Sequence, residues 1–136
     1  MYLALISESA REYFLELANH MMHADGEVGM EEEAILEAFR YECEMPDYQP
    51  KGIPVEQILN ELAKLDQQAK NATMIELTAL ALADEEIHAD ENKLLLRTAE
   101  KLEVNEERIT DMKQWVQDMN DVANRGMELI ENGSVE

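Results

Sequence analysis

The chain has 136 residues and a mass of 15.6 kDa, with 31 acidic side chains, 11 basic ones and a formal charge of −20 at pH 7. This charge excludes proteins that bind nucleic acid or anionic membranes, because those polyanions would repel it, and it favours cations or basic proteins as partners. The composition is 46% apolar and 5% aromatic, with five glycines and three prolines. It is too apolar for a disordered tail and indicates one helical domain over residues 1–136.

The sequence also predicts a reducing compartment. Cys43 is the single cysteine and lies in the acidic sequence Tyr-Glu-Cys-Glu, so we interpret it as an inert structural thiol. The first residues lack the basic flank and the long apolar run of a signal peptide. No stretch approaches the roughly 20 apolar residues of a membrane span. We therefore expect a soluble, cytoplasmic protein with no membrane insertion.

The first half of the chain predicts three helices. The first has Ser7 as its cap, and its polar side carries Glu8, Arg11, Glu12 and Glu16. A second has an apolar face made by Ala34, Ile35, Ala38 and Phe39. Segment 46–54 contains all three prolines and is predicted to be a loop. Pro54 then opens a third helix with Val55, Ile58, Leu59 and Leu62 on its apolar side.

The second half predicts three more helices. One covers about residues 71–83 and is apolar all round near its end, which indicates the buried centre of the fold. The next carries Leu94, Leu95, Ala99 and Leu102. Asn105 caps a long last helix whose near-heptad positions predict one seam packed within the domain, a coiled coil being the alternative: Ile109, Met112, Val116, Met119, Ala123 and Ile130. Gly126 could bend this helix, and residues 132–136 are expected to fray.

An internal repeat appears when the chain is compared with itself at an offset of 59 residues. The segment 24–28, Ala-Asp-Gly-Glu-Val, then falls on 83–87, Ala-Asp-Glu-Glu-Ile, and the repeat spans about 7–43 and 71–102. Each copy is a helix, an acidic turn and a second helix. The turns at 25–33 and 84–91 each contain five carboxylates and no Lys or Arg. We therefore predict an all-α, compact bundle of about six to seven helices built from two similar halves.

The doubled motif resembles the signature of the tellurite-resistance TerB-like family. That resemblance implies an all-helical domain, acidic turns proposed to bind metal, a role in tellurite or other stress response, and no established enzyme activity. The second copy departs from the pattern, because Glu85 stands where the first has Gly26. A glycine there permits a left-handed backbone, so the second turn is expected to differ in shape or bind more weakly. Near it, His88 and Ala89 replace polar cap residues, and Asp90 is the candidate replacement cap.

Crowded carboxylates repel one another unless a cation joins them, and oxygen-only ligands select Ca²⁺ or Mg²⁺ before Zn²⁺. The predicted metal ligands are Asp25, Glu27 and Glu32 in the first turn and Asp84, Glu86 and Glu91 in the second. If the halves pack about a pseudo-twofold axis, the two turns could share one ion. The competing interpretation needs no metal, because acidic residues at a helix start are stabilised by the helix dipole.

Other sites fit the sequence less well. An EF-hand is excluded, because its required glycine and final glutamate would fall on Met30 and Leu36 in the first turn, and on Ala89 and Leu95 in the second. A di-iron bundle needs two Glu-x-x-His pairs, and this chain has one, at Glu85 and His88. His20 and His23 form an alternative zinc or nickel pair with Asp25.

No catalytic triad, phosphate-binding loop or HExxH motif is present. The leading hypothesis is therefore a non-enzymatic, acidic module that binds a divalent cation or a protein. The alternatives are a metal-free scaffold that docks a basic partner and, less favoured, a metal-dependent hydrolase.

Overall fold

A computed structural model describes residues 1–24, 26, 28–84 and 87–132, and within them all regular structure is helical. This confirms the predicted all-α class. A short 3₁₀ helix, Leu3–Leu5, is followed by six α-helices: α1 (Glu8–Met22), α2 (Met30–Glu42), α3 (Val55–Leu62), α4 (Gln67–Ala81), α5 (Ala89–Lys101) and α6 (Glu106–Asn132). None of these helices is long and apolar enough to cross a membrane.

The helix boundaries repeat along the chain with the offset seen in the sequence. Helix α1 begins at residue 8 and α4 at residue 67, and both are 15 residues long. Helix α2 begins at residue 30 and α5 at residue 89, and both are 13 residues long. Both pairs are therefore displaced by 59 residues, whereas α3 and α6 have no such counterpart.

Helix α4 lies at the centre of the fold, as the sequence predicts. It packs against α1, α2, α5 and α6, and ten of its 15 residues are buried. It begins at Gln67, earlier than the apolar pattern indicates, because the Asp66 side chain accepts a hydrogen bond from the Ala69 N–H at 2.8 Å and caps the helix. Cys43 is also buried, in agreement with its interpretation as a structural thiol, and burial raises the pKa of that thiol to about 11.

Two predicted helix faces are corrected by the structure. Helix α2 buries Leu36 and Phe39 and leaves Ala34 and Ala38 exposed, so its inner face is rotated from the predicted one. The inward side chain of Glu32 at the start of α2 accounts for the rotation, since Glu32, Leu36 and Phe39 follow one another at spacings of four and three.

The seam predicted along α6 is the second corrected face, because it packs within the domain only over its first half. Ile109, Met112 and Val116 are buried, whereas Ile130 is 77% exposed. The helix is longer than the bundle on which it packs, so its apolar pattern continues beyond the core.

The start of α6 is as predicted, because Asn105 Oδ1 accepts a hydrogen bond from the Arg108 N–H at 2.8 Å. The helix runs without interruption through Gly126 and reaches Asn132. The remainder of the end predicted to fray, residues 133–136, lies outside the described residues.

Helices α2 and α5 end in the same way, with a glutamate in the left-handed conformation. Glu44 has φ 62° and Glu103 has φ 60°, and these positions are again 59 residues apart. Beyond them, the Met45 N–H donates to the Arg40 carbonyl at 2.8 Å and the Val104 N–H donates to the Ala99 carbonyl at 2.9 Å. These bonds define a Schellman motif, in which glycine is the residue that adopts the left-handed position without strain.

We expect Glu44→Gly to raise the free energy of unfolding by about 0.5–1 kcal/mol, because relief of the left-handed strain exceeds the backbone entropy that glycine loses on folding. Thermal unfolding should show a melting temperature higher by about 2–4 °C. Glu44→Ala removes the same charge but keeps the Cβ atom, and it should give no gain. An equal gain from both variants would assign the effect to charge and contradict the strain argument.

Candidate functional site

The two acidic turns occupy equivalent places, between α1 and α2 and between α4 and α5. Of the six predicted metal ligands, the structure describes three, namely Glu32, Asp84 and Glu91. The other three, Asp25, Glu27 and Glu86, lie outside the described residues. The geometry that can be stated is therefore that of the residues that flank each turn.

Glu32 and Glu91 perform the same role in the two copies. Each is the third residue of its helix, where its Oε1 accepts the backbone N–H of the residue just before the helix: Gly29 to Glu32 at 3.1 Å, and His88 to Glu91 at 3.2 Å. This is the glutamate half of a capping box. Both residues are also buried, with exposed fractions of 6% and 1%. Each acidic turn is thus joined to its following helix by an inward carboxylate.

Asp84 and His88 belong to the second turn and contact each other. The His88 Nε2 and the Asp84 Oδ2 are 3.1 Å apart, and both side chains are about 40% exposed. The cap of α5 is corrected here. The position before the helix is occupied by His88, and Glu91, not Asp90, supplies the capping carboxylate.

Gly26, in the first turn, has φ +81°, the left-handed conformation expected for a glycine at this place. The equivalent Glu85 lies outside the described residues, so the predicted difference between the turns stays a prediction.

The two histidines of the alternative zinc site have backbone partners. The His20 Nε2 lies 2.8 Å from the Ile53 carbonyl oxygen, and the His23 Nδ1 lies 2.9 Å from the Asn19 carbonyl oxygen. Among the described residues, no group of three or more His, Cys, Asp or Glu side chains is placed to hold a metal ion. A site of three carboxylates at either turn would accordingly need the neighbouring ligands Asp25, Glu27 or Glu86.

The sequence missed a buried carboxylate on α1. Glu16 was predicted on the solvent side, but it is 1% exposed. Its carboxylate accepts a hydrogen bond from the Tyr48 hydroxyl, together with the backbone N–H groups of Lys51 at 2.7 Å and Ile53 at 3.1 Å. Glu16 therefore fixes the proline-rich loop 46–54 to α1, the helix that leads into the first acidic turn.

These contacts decide the ionisation of Glu16. Burial alone would oppose its charge, but the hydrogen bonds from Tyr48 and from the loop backbone outweigh burial and hold the pKa of Glu16 below its ordinary value. Burial and the neighbouring carboxylate raise the pKa of Tyr48. One sequence signal was available: Glu12, Glu16 and His20 recur every four residues, opposite a loop with unpaired backbone donors.

Chemically, both turns offer oxygen atoms of carboxylates with few basic groups nearby. Such a donor set suits a hard divalent cation or the ammonium and guanidinium groups of a protein.

Comparison with known proteins gives one finding. The model of the family described as Tellurite resistance protein TerB matches residues 43–114, just over half of the chain. The match includes the second acidic turn and begins after the first. Searches of curated proteins and of solved structures returned no match. The matched range and the all-helical fold together show that the chain belongs to the TerB family.

Proposed function

We propose that the protein is a non-enzymatic TerB-like module that binds a divalent cation at its acidic turns, with Ca²⁺ or Mg²⁺ favoured over Zn²⁺. The observation that carries this proposal is the paired burial of Glu32 and Glu91 at equivalent helix positions. A buried carboxylate is costly unless its charge is compensated, and a cation held among neighbouring carboxylates compensates it. Each capping bond engages Oε1, which fixes the carboxylate beside its turn.

The proposal treats the turns as two copies of one TerB motif, although the family match covers only the second. The common helix offset and the shared Schellman motifs at Glu44 and Glu103 support this view. The proposed ligands remain the six predicted from the sequence: Asp25, Glu27, Glu32, Asp84, Glu86 and Glu91. A role in tellurite or other stress response, and a cytoplasmic location, complete the proposal, since tellurite resistance is in the family's description.

Titration calorimetry with Ca²⁺, Mg²⁺, Mn²⁺ and Zn²⁺ tests the proposal. We expect the wild-type chain to bind a divalent cation and Glu32→Gln to bind it at least about tenfold more weakly, because a charged ligand is lost. Glutamine keeps a carbonyl oxygen for the capping bond, so the stability of the metal-free protein should change little. This separates a ligand from a mere cap.

Glu37→Gln is the matched control, since Glu37 lies on the same helix and is exposed. It should leave cation binding unchanged. Absence of heat and of any thermal shift with millimolar ion would contradict the proposal. Equal binding by wild type and Glu32→Gln would remove Glu32 from the ligand set.

The alternative is a metal-free acidic scaffold that docks a basic protein. It is favoured by the exposure of Asp84, which leaves part of the second turn accessible to a partner. The combined variant Asp25→Asn, Glu27→Gln, Asp84→Asn, Glu86→Gln should then lose partner capture in the absence of metal. Screening against phosphoesters and peptides tests the non-enzymatic part of the proposal, where metal-dependent turnover would indicate a hydrolase.

A further inference from the structure

The second half of α6 has an apolar side that no described part of the chain covers. At about 100° per residue, the apolar residues from 116 onward fall within an arc of roughly 160°, and no charged residue lies inside that arc. Their side chains are largely exposed: Val122 is 56% exposed, Met127 54%, Leu129 73% and Ile130 77%. Segment 117–132, which we term the α6 extension, is about 24 Å long.

The apolar side of the α6 extension continues the side that α6 buries in the bundle. Ile109, Val116, Ala123 and Ile130 are seven residues apart and so occupy one heptad position. The first two are 2% and 1% exposed, in the region where α6 packs against α4, whereas the last is 77% exposed. The exposed side thus extends an existing helix interface. A second helix laid along it would extend the packing that α4 begins.

Charge identifies the kind of helix that fits. The polar side of the α6 extension carries Asp118, Asp121, Glu128 and Glu131, against the single base Arg125. Amphipathic helices that lie on membranes carry Lys and Arg on this side, so an anionic bilayer would repel it. A second copy would bring the same acidic flanks together on two chains of charge −20. A basic helix meets complementary charge on both flanks.

We propose that the α6 extension binds a basic amphipathic helix of a partner protein, with apolar side against apolar side and with Lys or Arg of the partner beside the acidic flanks. This is the helix-in-groove mode of recognition, completed here by the edge of the bundle. The surface is distinct from the acidic turns, and its use requires no cation.

The test uses two synthetic helical peptides of about 18 residues, one with leucines on one side and lysines on the other, and one with glutamates in place of the lysines. Fluorescence anisotropy is measured in EDTA at about 0.15 M salt. We expect the basic peptide to bind and the acidic peptide to fail. Ile130→Asp should weaken binding of the basic peptide at least about tenfold, because it places a charge in the apolar contact.

Asn124→Asp is the matched control, because it adds the same charge on the polar side of the extension with almost no change of side-chain shape. It should bind the basic peptide at least as well as the wild type does. Ile130 and Asn124 are both exposed, so both variants should fold normally. Glu32→Gln should also bind normally, which separates this result from the fate of the cation proposal.

Four results would overturn the proposal. The first is failure of the basic peptide to bind, and the second is equal binding by Ile130→Asp and the wild type. The third is dimerisation of the wild type in sedimentation that Ile130→Asp abolishes, since the occupant would then be a second copy. The fourth is equal binding of both peptides, or binding to vesicles of phosphatidylcholine and phosphatidylglycerol, which would remove the role of charge.

Discussion

Glu16→Ala is expected to lower the free energy of unfolding by about 2–4 kcal/mol, because it leaves several buried donors without an acceptor. The donors are the Tyr48 hydroxyl and the N–H groups of Lys51 and Ile53, all of which the wild-type carboxylate satisfies. Methyl-sized alanine cannot replace that acceptor, and the loop has no helix or strand bonds of its own. We therefore expect the loop 46–54 to detach from α1 before the rest of the fold opens.

Denaturant unfolding gives the change in free energy, and amide hydrogen exchange shows where it acts. The amides of Lys51 and Ile53 should lose protection in the variant, while those of α4 keep it. Glu12→Ala is the matched control, one turn earlier on α1, where a partly exposed carboxylate pairs with the exposed ammonium of Lys51. It should cost less than about 1 kcal/mol. Unchanged protection of the two loop amides in Glu16→Ala would contradict the assigned role.

The effect of Glu16 should also depend on pH in a definite direction. The folded-state pKa of Glu16 is lower than its ordinary value, so its contribution to stability is fully present above the ordinary pKa of about 4.3. It is lost as the pH falls through the folded-state pKa. The difference in stability between wild type and Glu16→Ala should thus be constant near neutral pH and shrink in acid.

Glu16 also shows why part of this fold could not be predicted. Helix positions followed from the spacing of apolar residues, which is local, and the start of α6 followed from Asn105. The partners of Glu16 lie 32 to 37 residues away in sequence. Glu76 is similar, since its buried carboxylate accepts the Tyr2 N–H at 2.6 Å from 74 residues away. A carboxylate that serves distant backbone donors looks, in the sequence, like a solvent-facing one.

The heptad pattern of α6 failed for a different reason. Regular apolar spacing predicts that a helix side will be covered, and it does so correctly for Ile109 and Val116. It contains no information on whether the covering surface is in the same chain. The α6 extension keeps the pattern without a partner in the described chain, and this is the basis of the docking proposal.

At the candidate site, the sequence located the acidic turns and the structure assigned two of their carboxylates a role. Glu32 and Glu91 were selected because they repeat at the same offset, and both prove to be buried capping residues. The pattern of a glutamate three residues after a helix start was readable from the sequence at His88–Glu91. Burial was not readable, because it depends on how α2 and α5 rotate against the core.

Phe14→Ala is expected to cost about 3–5 kcal/mol, the largest effect of any single substitution considered, because it opens a cavity between α1 and α2. Phe14 is fully buried, and its ring packs edge-on against Phe39 with centroids 5.1 Å apart. The loss combines the buried area of the ring, the cavity and the aromatic pair itself, which contributes about 0.5–1.5 kcal/mol. Denaturant unfolding of both single variants and of the Phe14→Ala, Phe39→Ala double variant measures the coupling between the rings.

The repeat supplies the matched control, since Thr73 and Thr98 stand 59 residues after the two phenylalanines. Both threonines are fully buried and bond carbonyls four residues back, Ala69 at 2.9 Å and Leu94 at 2.8 Å. Thr73→Val keeps the shape and removes a hydroxyl whose acceptor is already in the helix, so it should change stability by less than about 1 kcal/mol. If Phe14→Ala cost no more than Thr73→Val, the aromatic pair could not be what holds α1 against α2. The expected contrast instead means that the first half of the repeat depends on two rings, which the second half replaces with hydroxyl groups bonded within their own helices.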